Sequence, residues 1–319
     1  MTIPYAALKR RLGDGEIVIL DGATGTELQR RGAPMDPAAW CGPATLHNDQ
    51  LLTEIHSDYI RAGSEVITAN TFASSRLMLT PAGYGDRVGE INRRAVEAAQ
   101  RARTQLGAAD RVCVAGSLSH MVPVAAGTGT VDAHKLPSVD QVTDALYELA
   151  NVLYDSGVDH IMLEMMYNPG RAKIALEAAL STGLPVWFGM SARRADDGRA
   201  ITFDALEEVE IAIVAKLIPM SGVDVAGFMH TGSEVIADAL AAARPYFGGP
   251  LLAYPDSGYF EMPDWRFVDT IAPDRLQQFF ADWIAQGVQL IGGCCGLTIA
   301  HVEAAVRARQ AAASESAGG

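Results

Sequence analysis

The sequence predicts a single-domain α/β protein, a (β/α)8 TIM barrel, on three observations. Eight short β-branched or apolar runs alternate with helical stretches along most of the 319 residues. Small-residue turns such as Ala62-Gly63, Ser156-Gly157, Ser221-Gly222 and Gln286-Gly287 follow helical stretches as C-caps do, and each announces the next strand. No Gly-x-Gly-x-x-Gly follows a strand and no shift in composition divides the chain, so a doubly wound sheet and a two-domain arrangement are weaker alternatives.

In chain order the strand runs are Ile17–Leu20, Glu65–Asn70, Val112–Leu118, His160–Met165, Pro185–Ser191, Val223–His230, Leu251–Tyr254 and Leu290–Cys295. Between them lie amphipathic segments, of which Asp49–Ala62 and Glu90–Leu106 carry apolar residues at helical spacing. The barrel is expected over residues 1–310. The tail 311–319, Ala-Ala-Ala-Ser-Glu-Ser-Ala-Gly-Gly, has the composition of a disordered end.

Composition narrows the setting. With 49% hydrophobic residues the chain can bury a large core. No apolar run reaches the roughly 18 residues of a membrane span, and the N-terminus lacks a signal-peptide core. Four cysteines in a chain of this length do not make a disulfide framework, which points to a reducing, cytoplasmic location. A net charge of −13 argues against nucleic acid or an anionic membrane as partner. Most of that charge belongs on solvated helix faces.

The densest chemical signal is Gly292-Gly293-Cys294-Cys295-Gly296, at the end of the run Gln289-Leu290-Ile291. Adjacent thiols are poorly placed to bond to each other. They are either two small buried residues in a tight turn or two thiolates aimed at one soft cation, for which zinc is the first candidate. In a barrel, groups at the C-terminal ends of strands face the active site. Asp21, Asn70, Glu164, His230, Asp256 and the cysteine pair all fall at or just past such ends, so the site is expected in the barrel mouth.

Several of these segments carry a resemblance. Asp21-Gly22-Ala23-Thr24-Gly25-Thr26-Glu27-Leu28, His56 to Gly63, Asn70-Thr71-Phe72, Ala115-Gly116-Ser117, Tyr254-Pro255-Asp256-Ser257-Gly258 and Gly292 to Gly296, followed by Thr298 and His301, run in one order from about residue 17 to 305. In them the chain resembles the homocysteine S-methyltransferase family, zinc-dependent barrel enzymes that methylate a thiol. The resemblance implies a zinc held by three cysteines, one after the sixth strand and the adjacent pair after the eighth. Here the sixth segment reads Gly227-Phe228-Met229-His230, so Met229 replaces the family's asparagine and His230 its ligand cysteine. His230 then either completes a Cys2His zinc site with Cys294 and Cys295, or turns aside and leaves the site without tight zinc. Cys113 is expected in the core, and Cys41 is a loop thiol of no evident role.

The resemblance also implies substrate-binding roles for Asp21, Gly22, Asn70 and Glu164. Asp21 and Glu164 match positions that bind the substrate's α-ammonium, against the plainer roles of a helix cap and an ion pair. The threonine expected after the glutamate is Met165, followed by Met166, and His120 stands where the family has proline. These changes suggest an altered substrate preference.

The function implied is transfer of a methyl group from a small sulfonium or quaternary ammonium donor, S-methylmethionine-like or betaine-like, to the zinc-bound thiolate of homocysteine. Its partners are a small-molecule thiol and a methyl donor, and no catalytic residue is needed beyond the zinc ligands. Trp40, Tyr167, Tyr254, Tyr259 and Trp265 lie beyond strand ends, where aromatic faces would attract a methylated cation. Two alternatives remain. One is a methyltransferase or demethylase of the same family with another acceptor thiol or donor. The other is a non-catalytic metal- or thiol-binding barrel. The identity of the donor and the oligomeric state are not written in the sequence.

Overall fold

The computed structural model describes residues 1–125, 131–219, 222–262 and 265–318. Its eight parallel strands are β1 Val18–Ile19, β2 Val66–Thr68, β3 Cys113–Ser119, β4 His160–Met166, β5 Val186–Met190, β6 Val223–Gly232, β7 Leu251–Asp256 and β8 Val288–Ile291. Neighbours along the sheet are neighbours in the chain from β2 to β8, and β8 pairs with β1. A parallel bridge between Leu20 and Val66, with the Glu65 amide donating to Ile19 O at 2.8 Å, brings the two ends of the sheet together. This is the expected (β/α)8 barrel.

Each strand overlaps its expected run. The helix Asp49–Ala62 has the expected bounds, and Val88–Gln105 is shifted slightly from those expected. Gly63, Gly157, Gly222 and Gly287 all adopt the left-handed conformation, φ 114°, 76°, 97° and 88°. A side chain there would be strained, which is why the helix-to-strand turns read so clearly. The eighth run is expected to reach Cys295, but β8 ends at Ile291. Beyond it the Gly293 amide donates to Asp21 O and the Cys294 amide to Pro255 O, so the backbone leaves the ladder for the neighbouring loops. The last helix, Ile299–Gly318, extends into the segment for which composition predicts a disordered tail.

Two apolar layers make the core. One lies between strands and helices, as period-2 burial on the outer strand face requires. The other fills the barrel with Val18, Val66, Cys113, Met162, Trp187 and Leu290 among others, so Cys113 is a core residue as expected. The helix Ile3–Gly13 adds Tyr5, Leu8 and Leu12 to this inner layer. Tyr5 donates its hydroxyl to Asp224 Oδ2 at 2.9 Å and accepts from Trp187 Nε1 at 2.9 Å. Asp224 lies at the start of β6, so the helix plugs the N-terminal end of the barrel. The opposite end is left for a site.

Acids near strand starts serve structure. Glu65 pairs with Arg11 at 2.7 Å and Arg309 at 2.6 Å, and Asp159 pairs with Arg103 at 2.6 Å. Among the described residues no arginine pairs in this way with Asp21 or Glu164 at the strand ends. That contrast separates the two ends of the barrel chemically.

Candidate active site

The turn after β8 is packed too tightly for any residues but glycine at its two ends. A Cβ on Gly292 would lie 2.7 Å from Leu20 Cβ and 2.9 Å from Asp21 O. Gly296 has φ 79°, and a Cβ there would collide with Ser257 O. The Gly296 amide donates to Thr26 Oγ1 at 3.1 Å, tying the turn to the helix after β1. So held, the Cys294 and Cys295 sulfurs are 3.9 Å apart. That is far beyond the roughly 2.05 Å of a disulfide.

His230 approaches from β6. It has φ 44°, where the register between β6 and β7 slips between Met229 and Gly232. The bulge turns the imidazole into the mouth, as bulges near active sites do. Its Nδ1 lies 3.9 Å from Cys294 Sγ, and one donor atom from each of His230, Cys294 and Cys295 falls within 4.8 Å of the others. Bonds of about 2.3 Å to sulfur and 2.0–2.1 Å to nitrogen give tetrahedral edges of roughly 3.5–3.8 Å. The three donors could therefore hold one zinc ion with small adjustments.

The same group is rich in protons before a cation arrives. Burial disfavours the imidazolium, but Asp256, with Oδ2 at 3.5 Å from Nδ1, the contact with Cys294 and the charge of Glu164 outweigh it and push His230 up to about 9. The bond with Cys295 and burial push the Cys294 thiol well above its usual value. Metal binding at such a site is coupled to proton release.

Two carboxylates lie beside these donors. Glu164 is 6% exposed and lines the cavity. Burial pushes it up to about 7, aided by the charge of Asp21 and opposed by Ser117 and His230. Asp21 is fully buried behind the cavity wall, where it accepts from the Thr68 amide at 2.6 Å and from the Tyr254 hydroxyl at 2.8 Å. Burial pushes Asp21 up to about 7 as well, against the pull of those bonds. Two carboxyls raised by burial at one wall would ionise more readily beside a bound cation.

Gly22 lines the cavity, and a Cβ there would lie 2.8 Å from Tyr59 and 2.9 Å from Leu297 O. Asn70 also lines it, but its amide is already engaged: Nδ2 donates to Cys41 O at 2.9 Å and Thr45 Oγ1 at 3.1 Å, and Oδ1 accepts from the Cys41 thiol at 3.1 Å. Asn70 thus fastens the loop after β1. Cys41, which has no evident role in the sequence, is the loop's buried anchor on the cavity wall.

Of the residues that depart from the family pattern, Met165 lines the cavity, whereas Met229 and His120 are fully buried outside its lining. His120 Nε2 accepts from the amides of Tyr167 and Asn168 at 3.2 and 3.3 Å, so it shapes the turn after β4. His301 bridges the last helix and the loop before it, accepting from the Thr298 amide at 3.0 Å and lying 2.8 Å from Ile271 O.

The cavity holds about 300 Å³, and aromatic side chains form part of its wall. Trp40, Tyr167, Tyr254 and Trp265 line it as expected, while Tyr259 is 58% exposed outside it. Phe72, Phe203, Phe260 and Phe267 also line it, although the sequence does not single them out. Phe260 and Phe267 face each other across the ribbon Tyr259–Glu261/Arg266–Val268. The Phe203 ring centroid is 5.1 Å from that of His230. Alternation within these short segments is too brief to give a signal.

A family model described as homocysteine S-methyltransferase matches residues 18–309. Homocysteine S-methyltransferase of Escherichia coli K12 is 29% identical over 322 residues, covering 95% of this chain and 98% of its own. Homocysteine S-methyltransferase 4 of Zea mays is 28% identical over 314 residues, covering 92% and 90%. The metallated form of the E. coli homocysteine methyltransferase MmuM shares the fold with a TM-score of 0.73 at 23% identity, over 95% of this chain and 99% of that one.

Proposed function

This chain belongs to the homocysteine S-methyltransferase family, and on that premise we propose that it moves a methyl group from a small sulfonium or quaternary ammonium donor, S-methylmethionine-like or betaine-like, to the thiol of homocysteine at a zinc site. The observation that carries this reading is the convergence of His230, Cys294 and Cys295, with donor atoms within 4.8 Å of one another, on the wall of a cavity lined in part by aromatic side chains. In this reading those three residues hold the ion. A bound zinc ion keeps an acceptor thiol deprotonated at neutral pH. Two thiolates and a neutral imidazole balance the ion's charge, whereas three thiolates would leave an excess negative charge. A thiol held at such an ion would therefore ionise more readily, and would be a weaker nucleophile once ionised.

Glu164, with Asp21 behind the wall, supplies negative charge for the acceptor's ammonium. The Trp40 and Trp265 rings, 6.1 Å apart, offer faces to a methylated cation, worth about 0.5–2 kcal/mol each. No side chain need act as general base if the acceptor is already ionised, so orientation and field are the protein's tasks. Met165 on the wall favours a second reading within the family, in which another thiol or another donor is used.

The test is to incubate zinc-loaded protein with a panel of methyl donors and thiol acceptors and to identify methylated products by mass spectrometry. Methylated homocysteine from a sulfonium or betaine donor is the expected product. Stoichiometric zinc with no methylated thiol from any pair would favour a binding protein instead.

A further inference from the structure

Met229 is fully buried beside the site, yet its sulfur makes a specific contact across a neighbouring strand. β5 lies between β4 and β6 in the sheet, and Gly189 of β5 is in register with Gly227 of β6. A Cβ on Gly189 would stand 2.9 Å from Met229 Sδ and 2.9 Å from Leu163 O. The absent side chain is thus the gap through which the thioether crosses β5. On the far side, Sδ accepts a hydrogen bond from the Met165 amide, with N···S 3.4 Å.

That amide has lost its regular place in the ladder. Met165 has φ 57°, and the β4–β5 register slips between Leu163 and Met166. A buried amide in such a bulge still requires an acceptor. Glu164 sits on the same bulge. At the other end of the strut, Met229 O accepts from Ser191 Oγ and Thr231 Oγ1, each at 2.8 Å, and the next residue is His230 in its own left-handed bulge. A leucine would fill similar space with no acceptor, while a thioether is apolar enough for full burial and still accepts weakly.

We infer that Met229 is a positioning residue, a strut across Gly189 that sets the spacing between the Glu164 carboxylate and the His230 imidazole. The inference rests on the roles proposed above for those two residues. Two bulges, each bearing one functional side chain, are locked to each other by one hydrogen bond.

The experiment compares zinc-loaded wild-type protein with Met229→Leu, Gly189→Ala and Met229→Gln. It measures zinc by chelator competition, homocysteine binding by calorimetry without donor, and hydrogen exchange at the Met165 amide. Met229→Leu removes the acceptor, and Gly189→Ala displaces the sulfur with Met229 intact. Each is expected to weaken homocysteine by about tenfold, with stoichiometric zinc and faster exchange at Met165. Met229→Gln, whose carbonyl can accept from the same amide, should recover part of the loss. Homocysteine affinity within about twofold of wild type in Met229→Leu, or unchanged exchange at Met165, overturns the strut. Should the wild-type protein hold zinc but bind no homocysteine, the acceptor assignment fails, and exchange at Met165 still decides the strut.

Discussion

Tyr254 donates its hydroxyl hydrogen to Asp21 Oδ1 across 2.8 Å, joining β7 to the end of β1 beneath the cavity wall. The bond favours the ionised carboxyl, and burial opposes it, leaving Asp21 at about 7. Tyr254→Phe removes the favourable contribution and should raise that value further. A cationic acceptor group pairs only with the ionised carboxyl, so its binding rises as pH passes upward through the carboxyl's pKa. In Tyr254→Phe the rise should therefore move to higher pH. Homocysteine binding measured between pH 6 and 9 checks this, and coincident profiles for the two proteins would count against the coupling.

The same burial makes a prediction about stability. Asp21 and Glu164 ionise at about 4 in the unfolded chain and at about 7 in the folded one. A raised carboxyl binds its proton more tightly when folded. Its contribution is fully present below the unfolded value and is lost as pH rises through the folded one. Every tenfold gain in proton affinity corresponds to about 1.4 kcal/mol. Metal-free protein should lose thermal stability between pH 5 and 8, and Asp21→Asn with Glu164→Gln should flatten that slope. A slope unchanged in the double variant would assign the loss to other groups.

The architecture was legible because strands and turns are local. Glu65 to Asn70 contains a β-branched run, and Gly63 before it must be left-handed, so β2 and its approach are written in adjacent residues. The cysteine pair was legible because tight glycine packing surrounds it. Side-chain partners across the barrel were not. Asn70 is at a strand end as expected, but only the fold shows that its amide is engaged with Cys41 and Thr45. Phe203 and Phe260 reach the wall from short segments that carry no periodicity of their own. Met229 reads as an ordinary core residue until Gly189 is seen to open the way to Met165.

Loss of either adjacent thiol should be decisive for the metal. Cys294→Ala and Cys295→Ala each leave two donors of the cluster that lies within 4.8 Å. Both variants should lose stoichiometric zinc and turnover while keeping the far-UV spectrum of the barrel, since the turn lies beyond β8. A Cys295→Ala protein with full metal and the wild-type rate would falsify the zinc assignment.

Glu164→Gln should separate acceptor recognition from metal binding. Removing one partner of a desolvated charge pair costs about 2–5 kcal/mol, so homocysteine should bind correspondingly more weakly with zinc content intact. Methylation of thiols that lack an amino group is the control. If wild-type protein methylates them as well as it does homocysteine, Glu164 does not read the ammonium.

His230 is where the chain departs most sharply from its family's cysteine ligand, and its left-handed backbone suggests a position held for a purpose, φ 44°. Asp256 Oδ2 lies 3.5 Å from Nδ1, the nitrogen that also faces Cys294, so a metal ion on Nδ1 would replace that contact. His230→Ala should lose zinc nearly as completely as loss of a cysteine. His230→Cys should retain zinc, provided the shorter side chain still reaches it, and make the site more negative by one charge. An acceptor thiol there would be harder to ionise but more nucleophilic once ionised, so the rate with a saturating donor should rise while its pH dependence moves upward. X-ray absorption at the zinc edge decides the premise. Imidazole scattering beside two sulfurs is expected in the wild-type protein and should vanish in His230→Cys. A wild-type shell of sulfur and oxygen alone would make His230 a bystander, and the charge argument would fall with it.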